Sequence, residues 1–227
     1  MTSVTKNLEL IHQQIREFEQ QYSRVEQSVH LLAVSKKQSI EKIRAAAAAG
    51  QRDFGENYVQ EALEKIAALS DLDCQWHFIG PIQSNKTRAI AEHFDWVESI
   101  DREKIAHRLS EQRPDSLPPL NVCVQVNLSA EASKSGTTLA DSMALCETVA
   151  TLPRLQLRGL MAIPAPLSGL DEQRRSFRPL TEAFYELQSH LPGIDTLSMG
   201  MSGDFAAAIA EGSTMVRLGT ALFGSRD

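Results

Sequence analysis

Two short glycine-bearing segments near the C-terminus are the first candidates for chemistry: Gly200-Met201-Ser202-Gly203 and Gly219-Thr220. Each follows an apolar run and precedes a helix-forming one. Glycine lets the backbone approach a ligand closely, and the free N–H groups at a helix start attract an anion. Ser202, Gly219 and Thr220 are therefore candidates for a phosphate site. Plain turn glycines with a serine N-cap are the other reading, and the two stand side by side. Lys36 directly follows an apolar run with one residue between. Alone it reads as a solvated rim charge. Desolvated enough to be partly neutral, its amine would attack an aldehyde and form a Schiff base. A phosphate site on the same rim makes a phosphorylated aldehyde a suitable cofactor. Lys37 is adjacent, but neighbouring side chains point in different directions.

Arg217 sits inside an apolar run, two residues before Gly219. A buried guanidinium must find a partner. That partner is either a carboxylate of the interior or the ring nitrogen of a cofactor. An arginine cannot take up a proton, so it would leave such a nitrogen unprotonated and the ring a weaker electron sink. His77 falls inside an apolar run and reads as a satisfied core histidine. Asn57 and Asn85 read as helix-start residues, and Asn57 also joins the candidate cofactor-binding set. The remaining histidines show no metal-ligand spacing, and the sequence holds no HExxH, P-loop or GxGxxG.

These residues need a frame, and the chain supplies one. Leu8, Ile11, Ile15, Phe18, Tyr22 and Val25 recur at helical steps, which predicts an amphipathic first helix. Thereafter short apolar runs alternate with helical segments. The predicted strands are Leu31–Val34, Arg52–Phe54, Gln75–Ile79, Trp96–Ile100, Val122–Leu128, Leu155–Ile163, Thr196–Ser198 and Met215–Leu218. Between them lie helices, with Ser39 beginning the second, Ser84 as the N-cap of the one ending at His93, and Asp101 as the cap of the next. Continuous apolar strands suit a parallel sheet, and eight βα units in 227 residues predict a closed (β/α)8 TIM barrel preceded by an N-terminal amphipathic helix. A doubly wound open sheet is the alternative. The whole span 1–227 reads as a single domain. Lys36, Glu56, Asn57, Asn127, Lys134, Ser202, Gly219 and Thr220 would then lie beyond strand C-termini, where barrels of this kind place their function.

Composition narrows the classes. A net charge of −6 with no basic stripe speaks against nucleic acid and membrane surfaces as partners. Three cysteines without CxxC spacing and a polar first segment fit a reducing, cytoplasmic setting. The first helix reads as intramolecular packing, which makes a monomer the expectation.

Several blocks carry a family resemblance. They are Ala33-Val34-Ser35-Lys36, Phe54-Gly55-Glu56-Asn57-Tyr58-Val59-Gln60-Glu61 and the run from Trp76-His77-Phe78-Ile79-Gly80-Pro81 to Lys86. Leu197-Ser198-Met199-Gly200-Met201-Ser202, Gly212 to Thr220 and Phe223-Gly224-Ser225-Arg226-Asp227 complete them. Together they resemble the pyridoxal phosphate homeostasis protein family, over nearly the whole chain. The resemblance implies a barrel like the N-terminal domain of alanine racemase and pyridoxal 5′-phosphate held as a Schiff base on Lys36. It also implies phosphate contacts from Ser202 and Gly219-Thr220, and a ring contact from Arg217. It implies cofactor storage, buffering or delivery to apo-enzymes without an established catalytic activity. Lys134 matches a family lysine linked to cofactor transfer, a solvated loop lysine being the other reading. An amino-acid racemase is the alternative function. It would need acid and base groups on both faces of the substrate carbon, which alanine racemase completes with a further domain. Where members often read Ser-Lys-Thr-Lys-Pro, this chain reads Ser35-Lys36-Lys37-Gln38-Ser39, displacing the second lysine by one.

Overall fold

The apolar stripe of the first segment folds as helix α1 (Val4–Gln21), with the Ser3 side chain accepting a bond from the Lys6 N–H at its start. Leu8, Ile11 and Ile15 are buried. The stripe does not extend to Val25 as the spacing predicts. Ser23 adopts a left-handed φ of 54°, which ends a right-handed helix, and Val25 is 78% exposed. The buried Glu19 carboxylate then accepts the N–H groups of Gln27 and Val29 at 3.1 and 2.9 Å, fixing the return of the chain toward the first strand. Asn7 donates to the Leu222 carbonyl and Arg24 to the Ile209 carbonyl, so α1 is latched to the other end of the sequence. These observations come from a computed structural model that describes residues 3–129 and 135–224.

The alternation continues as β1 (His30–Val34), α2 (Ile40–Ala48), β2 (Asp53–Glu56), α3 (Val59–Ala68), β3 (Gln75–Phe78) and α4 (Thr87–His93). It goes on through β4 (Trp96–Ile100), α5 (Glu103–Gln112), β5 (Leu120–Val126), α6 (Leu139–Ala150), β6 (Leu155–Ala162) and α7 (Leu170–His190). The chain ends with β7 (Thr196–Ser198), α8 (Phe205–Ala210), β8 (Met215–Leu218) and α9 (Thr220–Phe223). The strands close in sequence order into a barrel. The parallel β8–β1 pairing that seals it sets Leu32 opposite Arg217 and Ala33 opposite Leu218. The (β/α)8 expectation holds, and the open sheet does not.

Side chains alternate between the two faces of each strand. Leu31, Ala33, Phe54, Phe78, Val97, Val122, Val124, Leu197 and Val216 share one continuous core with the buried faces of the helices. The other face lines the barrel. There Trp96, Cys123 and Met161 form a separate small cluster, joined by buried polar groups at His77, Glu98, Ser198 and Arg217. Two predicted caps fall elsewhere. The N-cap position of α4 is Lys86 and that of α5 is Arg102. The Ser84 carbonyl instead accepts the Thr87 hydroxyl at 2.9 Å, and the Asp101 carboxylate takes the Arg102 guanidinium at 2.6 Å. Among the described residues no helix is long and apolar enough to cross a membrane.

Candidate functional site

The C-terminal ends of β8, β1 and β2 are adjacent in the barrel, and each carries a candidate residue. Leu32 faces the barrel interior, where it nears the position a side chain on Gly55 would take. Lys36 has the same parity as Leu32 and Val34 along the chain. It lies half-buried in the turn between β1 and α2. Lys37 is exposed and left-handed, with φ 59°, a conformation uncommon outside glycine.

Arg217 faces the interior and is 3% exposed. It donates to the Ala162 carbonyl at 2.8 Å and to Ser198 Oγ at 2.7 Å. Ser198 in turn donates to Glu98 Oε2 at 2.5 Å, and Glu98 Oε1 meets His77 Nδ1 at 2.8 Å. His77 Nε2 lies 3.3 Å from Asp53 Oδ1, and the Trp96 indole stacks on its ring. A hydrogen-bonded chain thus crosses the barrel from Asp53 to Arg217.

The electrostatics follow from that chain. Burial disfavours a charged His77, but the carboxylates of Asp53 and Glu98 outweigh it and hold the imidazole above its ordinary range. Burial likewise opposes the Glu98 charge, and His77, Arg217 and the Ser198 hydroxyl more than offset this, keeping its carboxyl low. Burial draws the Arg217 guanidinium down against Glu98 and Asp204, yet an arginine keeps its proton in a protein. His77 is thus a satisfied core histidine, and Arg217 reaches the Glu98 carboxylate through the Ser198 hydroxyl.

Four turns complete the rim. Asn57 follows β2, and a Cβ on Gly80 would stand 2.4 Å from the Asn57 carbonyl oxygen, so only glycine lets these two turns touch. The Asn57 side-chain oxygen is buried without a hydrogen-bond partner. Beyond β7, the Gly200 carbonyl accepts the Arg217 N–H at 2.9 Å. Ser202 is exposed and does not cap α8. Asp204 holds that position, and its carboxylate accepts the Met201 N–H at 2.6 Å. Burial pushes the Asp204 carboxyl up, although the Met201 N–H and Arg217 pull it back. Beyond β8, Gly219 leans on β1, where an added Cβ would stand 3.1 Å from the Val34 carbonyl oxygen. The Leu222 and Phe223 N–H groups bond to the Gly219 carbonyl at 3.0 and 2.8 Å, which leaves those of Thr220 and Ala221 as the helix-opening pair without an intrahelical partner. Lys36, Asn57, Arg217, Gly219 and Thr220 are thus carried on one continuous arc of strands, with Ser202 on the next turn along. Lys134 lies outside the described residues.

Sequence reasoning passed over Glu98, Ser198, Asp204 and Lys65. For Glu98 a signal existed: an acid inside the apolar run Trp96–Ile100, at a parity shared with Trp96, must face something charged. Lys65 had none, since a lysine on an amphipathic helix is ordinarily solvated.

Comparison with known proteins settles the family. The description "Alanine racemase, N-terminal domain" matches residues 7–227. A Pseudomonas aeruginosa protein named pyridoxal phosphate homeostasis protein is 59% identical over 227 residues, covering 100% of this chain and 97% of its own. The protein of that name from Escherichia coli is 53% identical over 230 residues, covering 100% of this chain and 98% of its own.

The chain belongs to the pyridoxal phosphate homeostasis protein family.

Among solved structures, PipY of Synechococcus elongatus with PLP bound is 42% identical. It superposes with a TM-score of 0.80, over 92% of this chain and 100% of its own. The residues here fit that group. The rim offers an amine, a permanent guanidinium, helix-opening N–H groups and a hydroxyl. It also offers the Asn57 amide, whose buried oxygen lacks a partner.

Proposed function

We propose that this protein holds pyridoxal 5′-phosphate as a Schiff base on Lys36 and serves to store, buffer or deliver it, without being a catalyst itself. One observation carries the reading. An amine, an interior arginine and a helix-opening glycine turn sit on adjacent strand ends, in a chain 42% identical to PipY, which was solved with this cofactor. Bound pyridoxal phosphate supplies an electrophilic aldehyde on an electron-withdrawing ring. The Lys36 nitrogen bonds to the aldehyde carbon and the carbonyl oxygen leaves as water. Arg217 donates to the ring nitrogen and, already holding all its protons, leaves that nitrogen unprotonated. Ser202, Gly219 and Thr220 hold the phosphate, and Asn57 meets the ring side. The recipients are apo-enzymes of the cytoplasm, and the protein works as a monomer.

The test is the absorbance spectrum of the purified protein mixed with pyridoxal phosphate, compared with Lys36→Ala. The wild type gains a band near about 420 nm that borohydride fixes covalently and the variant lacks. A wild type that gains no band overturns the reading. Alanine racemisation abolished by Lys36→Ala would replace it with the racemase.

A further inference from the structure

Lys65 stands within α3, yet is 5% exposed. An ammonium has three protons to donate, and all three are used. Lys65 Nζ donates to the Ser35 carbonyl at 2.7 Å, to Glu56 Oε1 at 2.8 Å and to Glu61 Oε1 at 2.6 Å. The acceptors are tied to the same stretch of backbone. Ser35 Oγ donates to Glu56 Oε1 at 2.6 Å, and Glu61 Oε1 also accepts the Lys37 N–H at 2.5 Å. The residues on either side of Lys36 are therefore both held by one cluster. Ser35 is held through its carbonyl and hydroxyl, and Lys37 through its amide.

The cluster is not part of the rim set. Glu56 shares the parity of Phe54, whose side chain belongs to the core beneath the helices. It is built at a considerable expense in solvation. Two buried charges lose their water, which only close pairing offsets, and Glu56 Oε2 is left buried without a partner. Burial pushes the Glu56 carboxyl up against the pull of Lys65 and Ser35. A hydrophobic contact between α3 and β2 would hold the helix as well. What it would not do is fix Lys37 in a left-handed conformation, and that conformation sets the course of the turn that carries Lys36.

We propose that Lys65, Glu56 and Glu61 are positioning residues that set the aim of Lys36 and so the rate at which the cofactor is released. The inference rests on the cofactor reading above. A cluster that merely stabilised the fold would alter the melting temperature and nothing else.

The experiment uses Glu61→Ala, Glu61→Gln and Lys65→Met beside the wild type. One measurement is amide hydrogen exchange of residues 35–38 in cofactor-free protein. The other is decay of the pyridoxal phosphate band when alkaline phosphatase removes free cofactor, well below every melting temperature. Glu61→Ala should raise exchange at Lys37 and cofactor release each by about tenfold, the loss expected of the charge-assisted hydrogen bond to the Lys37 N–H, with both read well below its lowered melting temperature. Glu61→Gln, which retains an acceptor oxygen, should recover part of both. Lys65→Met should exceed Glu61→Ala. Should it fail to fold, the Glu61 pair decides, since the Glu61 side chain is already 27% exposed. A wild type that takes up no pyridoxal phosphate overturns the cofactor reading, and this one with it. A wild type that binds it, with exchange and release unchanged in Glu61→Ala, overturns this inference alone.

Discussion

Replacing Glu98 by glutamine keeps the shape of the side chain and removes one negative charge from the middle of the barrel. In the native protein that charge lies 2.8 Å from His77 Nδ1 and 2.5 Å from Ser198 Oγ, and it faces Arg217 through Ser198. All of these groups are buried. At pH 6 the imidazole is charged, because its folded value is raised above the ordinary one. Glu98→Gln then leaves two cations facing a neutral amide. Breaking a buried pair from one side destabilises by about 3–5 kcal/mol, which for a chain of this size lowers the melting temperature by roughly 6–20 °C. The pH dependence is the sharper test. A histidine with a raised folded value contributes stability that is fully present below about pH 6.5 and is lost as pH rises through that folded value. The variant lacks most of that contribution at every pH. Its deficit against the wild type should therefore be largest near pH 6. It should shrink at higher pH toward the about 1.5–3 kcal/mol expected of the lost hydrogen bonds to a charged group. Urea unfolding of both cofactor-free proteins across this range measures it. A deficit that stays flat, widens with pH, or never reaches about 1 kcal/mol would refute the argument that Glu98 is ionised and paired with His77.

Two further outcomes are expected. Gly80→Ala drives a methyl group to 2.4 Å from the Asn57 carbonyl. Urea unfolding should show a loss of about 1–3 kcal/mol, and titration with pyridoxal phosphate should show weaker binding; an unaffected affinity would remove Asn57 from the cofactor set. A thiol reagent should modify a single cysteine of the folded protein. Burial pushes the Cys146 thiol up to about 12 and the Cys123 thiol well above its ordinary range, leaving the half-buried Cys74. Fast reaction of two thiols would contradict the packing around β5 and α6.

The order of the barrel was legible because its strands are covered on both faces and read as short apolar runs, each followed by a helical stripe. β4, β7 and β8 fall where the pattern predicts, and the helix-forming runs after the two glycine turns fold as α8 and α9. The caps at Ser84 and Asp101 were misplaced: the Ser84 backbone carbonyl accepts the Thr87 hydroxyl, the Asp101 carboxylate is taken by Arg102, and the helices start at Thr87 and Glu103. Lys36, Arg217 and the two glycine turns stood out as unusual residues in their own segments. Ser198 did not, and for Glu98 the local signal showed only that it must face a charge, because the partners of both are relational. They are bonded across 100 residues, and nothing local to either strand shows which interior group the other faces. Lys65 was hidden for a related reason: its burial comes from a turn 30 residues earlier.

The latch between α1 and the end of the chain bears on how the protein is made. Asn7 waits for Leu222, a separation of 215 residues, and Arg24 for Ile209, a separation of 185. At about 5–20 residues per second of synthesis, the apolar stripe of Leu8, Ile11 and Ile15 emerges from the ribosome on the order of ten seconds or more before the surface that covers it exists. The seam of β1 with β8 closes only then, so the barrel becomes whole only once its last strand has been made. Until that moment the nascent chain carries a greasy helix whose covering by α8 and α9 is missing, which is the point where chaperones would find it.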